Sequence, residues 1–295
     1  MPKIAFLFPG QGSQSAGMGK DAAETNAAAM ELFKKADEVL GFELSKLCFE
    51  GPDEELKQTQ NTQPALYVAS AATLEVLTKE GIEPAAVAGH SLGEYTALYA
   101  AGTFDFETGL KLVRTRGEAF AEAGSHRPGA MSAVVGLPSE QVDAICREVS
   151  TGESVVVAAN KNEPSQTVIS GDPEAVKKTG ELCSEAKAKR VLPLPVSGAF
   201  HSPLVAPAAQ TMKEALDAAA FAAPNCTFVN NADAAVLSDP VAIKDSLVRQ
   251  ITSCVRWVDC IQTLLDQGCD TFVEVGSGKV LAGLMRRINR DIPCF

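Results

Sequence analysis

Apolar and polar positions along the chain fall into two rhythms. Near the start, Lys3-Ile-Ala-Phe-Leu-Phe8 is a short apolar run closed by Pro9-Gly10-Gln11-Gly12, the pattern of a buried strand entering a glycine-rich loop. Pro64 predicts the first turn of a helix that carries Leu66, Val68, Leu74 and Leu77 to a stop at Gly81. Residues 85–88 read as a short strand, residues 91–101 as a helix closed by Gly102, and residues 106–123 as a helix closed by Gly124.

From about His126 to Ser197 the elements shorten: strand 130–135, helix 139–149, strands 154–159 and 166–170, helix 173–186 and strand 190–194. That βαββαβ order matches the ferredoxin-like motif and predicts a small inserted domain at 126–197. After it, helical patterns at 202–220, 240–251 and 258–267 alternate with strands near 227–229 and 271–275. Residues 1–125 and 198–295 therefore read as one larger α/β domain, an open parallel sheet covered by helices on both faces. The chain has no internal repeat, low-complexity tract or long linker.

Composition narrows the function classes. With 295 residues, 46% hydrophobic and 21% charged, the chain reads as a folded, soluble protein with a substantial core. A net charge of −11 opposes general affinity for nucleic acid. No apolar run approaches the roughly 20 residues needed to cross a bilayer, and the run ending at Phe8 is too short for a signal-peptide core, so no membrane association and a cytoplasmic location are expected. Eight cysteines (Cys48, Cys146, Cys183, Cys226, Cys254, Cys260, Cys269 and Cys294) form no C-x-x-C pair and have no histidine at zinc-ligand spacing. They read as reduced, mostly buried thiols, with neither a metal site nor a disulfide framework.

The clearest chemical signal is Gly89-His90-Ser91-Leu92-Gly93, a G-x-S-x-G pentapeptide between an apolar strand and a helix. Small residues permit a sharp strand-to-helix turn presenting Ser91 at a helix N-terminus, where backbone N–H groups and the helix dipole stabilise an oxyanion. The bland alternative is an N-cap serine with a capping-box Glu94. A nucleophilic serine needs a base, and there are three histidines. His90 adjoins Ser91 on a tight turn, where neighbouring side chains diverge. His126 sits in the polar stretch Gly124-Ser-His-Arg-Pro128 and reads as a solvated loop residue. His201, between residues 192–200 and the Ser202-Pro203 helix start, lies at a strand-to-helix junction where a sheet-edge site forms, against the alternative of a core histidine.

Arg116 is the most informative charge. At about 100° per residue from Leu110, Leu112 falls near about 200°, Arg116 near about 240° and Phe120 near about 280°, while Arg114, Glu118, Lys111 and Thr115 occupy the opposite, polar face. A guanidinium on an apolar stripe cannot shed its charge and needs an anion. Either an internal Asp or Glu supplies it, or a ligand carboxylate does; spacing leaves both open.

Pro9-Gly-Gln-Gly-Ser-Gln14, Asn61-Thr-Gln-Pro-Ala65, Gly89-His-Ser-Leu-Gly-Glu-Tyr95, Thr115-Arg-Gly117, Gly198-Ala-Phe-His201 and Val248-Arg-Gln250, taken together and in order, resemble the malonyl-CoA:acyl-carrier-protein transacylase family, the stand-alone enzymes of bacterial-type fatty-acid synthesis. The resemblance implies a hydrolase-like α/β domain with a ferredoxin-like insertion. It also implies transfer of malonyl from malonyl-CoA to the phosphopantetheine thiol of holo acyl carrier protein through a malonyl-serine, with no cofactor beyond the coenzyme A thioester substrate, in a monomer.

Position by position, it makes Ser91 the nucleophile and His201 the base. Arg116 becomes the malonyl-carboxylate clamp, Gln11 and Leu92 the backbone oxyanion-hole donors, and Gln250 the residue whose main-chain carbonyl orients the histidine. A triad carboxylate is then absent. Gln63 and His90 match site-lining positions, Asn160 lies in an insert loop facing the cleft, and Phe200 in the A-F-H pattern implies a preference for malonyl over its α-methylated homologue. Because acyl carrier proteins are acidic like this chain, docking needs a local basic patch: Lys187, Lys189 and Arg190 or Lys279, Arg286, Arg287 and Arg290 are the candidates, each against the alternative of a solvated helix face. The rival readings are a serine hydrolase, whose usual late histidine and H-G-G-type loop are missing, and a non-catalytic carrier- or CoA-binding module.

Overall fold

The computed structural model describes residues 2–196 and 198–295, so Ser197, the last residue of the expected insert, lies outside the described residues. In chain order the elements are β1 (Ile4–Phe8), α1 (Lys20–Thr25), α2 (Ala27–Leu40), α3 (Leu44–Glu50), α4 (Asp53–Leu56), α5 (Thr59–Lys79), β2 (Ala86–Gly89), α6 (Gly93–Ala100) and α7 (Phe106–His126). They continue with β3 (Ala130–Val135), α8 (Ser139–Val149), β4 (Val156–Glu163), β5 (Gln166–Gly171), α9 (Pro173–Glu185), β6 (Arg190–Pro193) and a single 3-10 turn at Pro203–Val205. The last part holds α10 (Ala206–Ala218), β7 (Thr227–Val229), β8 (Val236–Leu237), α11 (Pro240–Gln250), α12 (Trp257–Asp266), β9 (Thr271–Glu274) and α13 (Val280–Ile288).

Five strands form the larger sheet in the order β8-β7-β2-β1-β9. All neighbours run parallel except the two-residue edge strand β8, which is antiparallel to β7, so the sheet expected to be parallel is mixed at one edge. Strand alternation splits its side chains between two cores. Phe6, Phe8, Val87 and Phe228 pack on one face with Phe33, Tyr67, Leu110 and Met212 of the covering helices. Ala5, Leu7, Ala86, Ala88 and Val229 pack on the other with Trp257, Ile261, Leu264 and Met285. With both faces covered, β1 and β2 are continuous apolar runs, which is why they were legible, whereas the two-residue edge strand β8 was not expected.

The second sheet has the antiparallel order β4-β5-β3-β6. One face packs Val134, Val156 and Ile169 on Val142, Ile145, Val176 and Cys183 of α8 and α9. The opposite face is turned to a cleft, with Met131, Ala133, Asn160, Asn162 and Val168 on its wall. A bulge between Ala158 and Asn160, together with the bridge from Asn160 to Val255, ties this sheet to the segment just after α11.

Three of the boundary differences from expectation have a visible physical cause. Helix α5 starts at Thr59, which leaves Pro64 inside it rather than in its first turn. Proline withholds the N–H that would reach the Gln60 carbonyl, and the Arg114 guanidinium donates to that carbonyl at 3.0 Å instead. Helix α7 runs through Gly124 to His126, because the stop is set by Pro128: Arg127 before it is extended at φ −134°. His126 is therefore a helical residue and not a loop residue, though exposed as expected. Strand β4 extends to Glu163, since the ladder to β5 and the bridge to Val255 hold a polar stretch that lacks strand patterning.

The eight cysteines are free thiols, and Cys48, Cys146, Cys183, Cys260 and Cys269 are buried. No helix among the described residues is long and apolar enough to cross a membrane.

Candidate active site

A cleft of about 220 Å³ opens between the two sheets, at the carboxyl ends of β1 and β2. Strand β2 delivers Ser91 through a turn in which glycine is obligatory at both ends. A Cβ on Gly89 would lie 1.9 Å from the Gly93 carbonyl, and one on Gly93 would lie 2.0 Å from the Phe8 carbonyl oxygen. Ser91 itself takes φ 53° and His201 takes φ 58°. Left-handed backbone at a non-glycine residue costs about 1–3 kcal/mol and persists only where surrounding bonds over-determine it. At Ser91 those bonds are visible: its N–H donates to Asn231 Oδ1 at 2.7 Å and its carbonyl accepts from Gln250 Nε2 at 2.9 Å. Glu94 is no capping residue, for α6 has no side-chain cap.

Ser91 Oγ lies 2.7 Å from His201 Nε2, and His201 Nδ1 lies 2.8 Å from the Gln250 main-chain carbonyl. A carbonyl only accepts, so Nδ1 carries the proton and Nε2 presents its lone pair to the serine hydroxyl. Burial, then the charge of Arg116, pushes the imidazole down to about 3, so the ring is neutral at rest. The His201 ring should therefore show no protonation between pH 7 and pH 5 when its ring nitrogens are followed by NMR; titration near the free value of 6.5 would contradict this. In the unfolded chain the imidazole takes up a proton below about 6.5. The contribution of His201 to stability is thus full above 6.5 and drains as pH falls toward about 3.

Arg116 is 1% exposed on the apolar face of α7, as its wheel position requires. Its Nη1 donates to Gln63 Oε1 at 2.8 Å, and its Nη2 donates to Gln250 Oε1 at 2.9 Å and to Ser91 Oγ at 3.1 Å. The guanidinium lies 4.6 Å from the Phe120 ring centre and 5.7 Å from that of Tyr95. Among the described residues no carboxylate lies within ion-pair distance of it, and its Nε is buried without a partner. The internal ion pair left open by the sequence is not formed. Its hydrogen-bond partners are all neutral oxygens, and the buried Glu94 carboxylate acts on it through space.

The remaining expected residues divide. Gln11, Leu92, His90, Phe200 and Asn160 line the cleft with Ser91, Arg116 and His201, Asn160 from within strand β4 and not from a loop. The backbone N–H groups of Gln11 and Leu92 find no protein acceptor among the described residues. Phe200 stacks on Phe120 with ring centres 4.8 Å apart. His90 is turned from Ser91, its Nε2 being 2.8 Å from Asn162 Oδ1, and burial lowers its basicity. Gln63 is displaced from its expected place: it is buried behind Arg116 and does not line the cleft, because its carbonyl oxygen is spent on the guanidinium. Three residues were missed. Asn231 bridges Ser91 N–H and, through Nδ2 at 2.7 Å, the Gly89 carbonyl. Glu94 is fully buried beneath the site, and Asn162 lies on the cleft wall. Asn231 follows β7 with no local pattern to mark it, while Glu94 was visible as a charge inside an apolar helix start.

The acyl transferase domain pattern matches residues 5–290 of this chain. The malonyl CoA-acyl carrier protein transacylase of Bacillus subtilis strain 168 is 47% identical, over 99% of this chain and 92% of that protein. The crystal structure of an acyl carrier protein S-malonyltransferase from Vibrio cholerae is 46% identical, with a TM-score of 0.95 over 99% of this chain and 95% of the other. A malonyl-transacylase solved in complex with its type II PKS acyl-carrier protein is 41% identical, with a TM-score of 0.95 over 99% of this chain and 94% of that one. With this fold, this serine–histidine pair and similarity over nearly its full length, the chain belongs to the acyl transferase family and, within it, to the malonyl-CoA:acyl-carrier-protein transacylases.

Proposed function

We propose that this acyltransferase moves a malonyl group from malonyl-CoA to the phosphopantetheine thiol of holo acyl carrier protein, supplying extender units for fatty-acid synthesis. The observation that carries the reading is a buried guanidinium beside Ser91 Oγ that has only neutral partners. Two parallel N–H groups of such a cation match a carboxylate, which malonyl has and acetyl lacks.

In the proposed mechanism the Ser91 hydroxyl proton passes to His201 Nε2 as Oγ bonds to the thioester carbonyl carbon. The backbone N–H groups of Gln11 and Leu92 hold the oxyanion. The C–S bond then breaks, and the departing CoA sulfur takes the proton from His201, leaving malonyl-Ser91. In the second half the carrier thiol gives its proton to His201 and attacks the ester, and Ser91 recovers its proton as the Oγ–C bond breaks. The Gln250 carbonyl orients the imidazole in place of a triad carboxylate. Arg116 orients the acyl group, His90 and Asn160 shape the wall, Gln63 supports the arginine, and the Phe200–Phe120 stack closes the space beside the α-carbon. The antiparallel sheet of order β4-β5-β3-β6, with α8 and α9 on one face, supports reading 126–197 as a ferredoxin-like domain inserted between residues 1–125 and 198–295 of a hydrolase-like domain. Both basic clusters proposed for carrier docking are exposed.

Offered malonyl-, methylmalonyl- and acetyl-CoA with a holo carrier protein, the enzyme should acylate the carrier from malonyl-CoA. Methylmalonyl should be disfavoured by ~1–3 kcal/mol, roughly 5- to 150-fold. Release of free malonate at the rate of carrier acylation would instead identify a hydrolase.

A further inference from the structure

Glu94 is a fully buried carboxylate that the mechanism above does not use. Its Oε2 accepts from the Asn231 backbone N–H at 3.0 Å and from Gln250 Nε2 at 2.9 Å, while its Oε1 is buried without a partner. Gln250 and Asn231 are the two residues that hold the reacting groups. The Gln250 carbonyl carries His201 and its side-chain Oε1 carries Arg116; the Asn231 side chain pins the N–H of Ser91.

We infer that Glu94 is a positioning residue: its Oε2 acceptor fixes the orientation of the Gln250 amide, and through it the placement of Arg116 against Ser91. The reasoning is donor–acceptor accounting. A primary amide has one accepting and one donating end, and guanidinium only donates. With Oε2 accepting, the Gln250 NH2 faces Glu94 and the Ser91 carbonyl, so Oε1 must face Arg116 Nη2. If the amide turned over, its NH2 would oppose another donor and the guanidinium would leave its place.

Reading through an amide has a second consequence. Glu94 supports the cation without pairing with it, since a direct carboxylate contact would occupy the N–H groups that a ligand carboxylate needs. Burial, its leading cause, pushes Glu94 up to about 7. Protonation would fall on the partnerless Oε1 and leave Oε2 an acceptor, so the orientation holds in either state.

The inference rests on the malonyl-transfer reading, so the first measurement is formation of a malonyl adduct on the wild-type enzyme; its absence overturns that reading itself. Given the adduct, Glu94→Met removes the acceptor and Glu94→Gln restores an oxygen at the same place. Glu94→Met should lower kcat/KM for malonyl-CoA ~10²-fold, with a smaller loss for acetyl-CoA, and Glu94→Gln should recover most of it. Equal losses for the two donors in Glu94→Met, or no recovery in Glu94→Gln, would overturn the positioning role while leaving the malonyl reading intact. Where Glu94→Met does not fold, Gln250→Met tests the same link, because it keeps the main-chain carbonyl on His201 and deletes the amide. An unchanged malonyl-to-acetyl ratio in that variant overturns the inference equally.

Discussion

Alanine at Ser91 should abolish formation of a covalent malonyl-enzyme and lower carrier malonylation ~10⁶-fold in kcat, the usual scale for loss of a serine nucleophile that acts as a unit with its base. The structure makes the expectation specific. Ser91 Oγ lies 2.7 Å from His201 Nε2, on a turn whose glycine sterics leave no room for a compensating shift. Intact-mass spectrometry of the wild-type protein, incubated with malonyl-CoA without carrier and quenched rapidly, should show one added malonyl group. The same experiment on Ser91→Ala should show none, while its thermal unfolding stays near that of the wild type. An adduct persisting in Ser91→Ala would move the nucleophile elsewhere. Residual turnover of ~10³-fold over solution is still expected from the oxyanion donors and binding alone.

The second large effect belongs to Arg116. Its replacement by alanine should cost malonyl transfer ~3 kcal/mol, roughly 10²-fold in kcat/KM, because the ligand carboxylate would be desolvated in the cleft with no cation to meet it. Acetyl transfer should change by less than ~5-fold, since acetyl brings no charge to be paired. Two opposing consequences for acetyl make this small. The variant loses a hydrogen bond from Nη2 to Ser91 Oγ, and it also removes the guanidinium that helps hold His201 low. Steady-state kinetics with both donors separates the outcomes: equal losses for malonyl and acetyl would mean that the guanidinium is structural and not a clamp. Lysine at the same position keeps the charge but not the fork, so it should rescue malonyl transfer only in part.

The buried groups impose opposite pH slopes on stability. Glu94, raised to about 7, is the more stabilising when protonated, so its contribution is full below about 4.5 and is lost as pH rises through about 7. His201, lowered to about 3, contributes fully above about 6.5 and loses that contribution on acidification. Between about 4.5 and 6.5 the two partly cancel.

What the sequence determined by itself was everything governed by neighbours along the chain. The apolar runs of β1 and β2 mark strands buried on both faces. The glycines around Ser91 specify a turn through contacts within a few residues, and the 3.6-residue period of α7 puts Arg116 on a buried face before any partner is known. Within residues 130–193 most elements were legible because each carries its own alternation or amphipathic stripe, the polar end of β4 being the exception.

Tertiary structure alone decided how those pieces are satisfied. Whether Arg116 meets a carboxylate depends on Gln63 and Gln250, 53 and 134 residues away, and nothing in their local pattern distinguishes them from surface glutamines. Asn231 reaches Ser91 across 140 residues, and Glu94 reaches Gln250 across 156. Hydrogen bonds of this range leave no periodicity, because a buried polar atom is constrained by the geometry of its partners and not by spacing along the chain. The sequence fixes which groups are taken out of water, and only the fold determines which of them then meet.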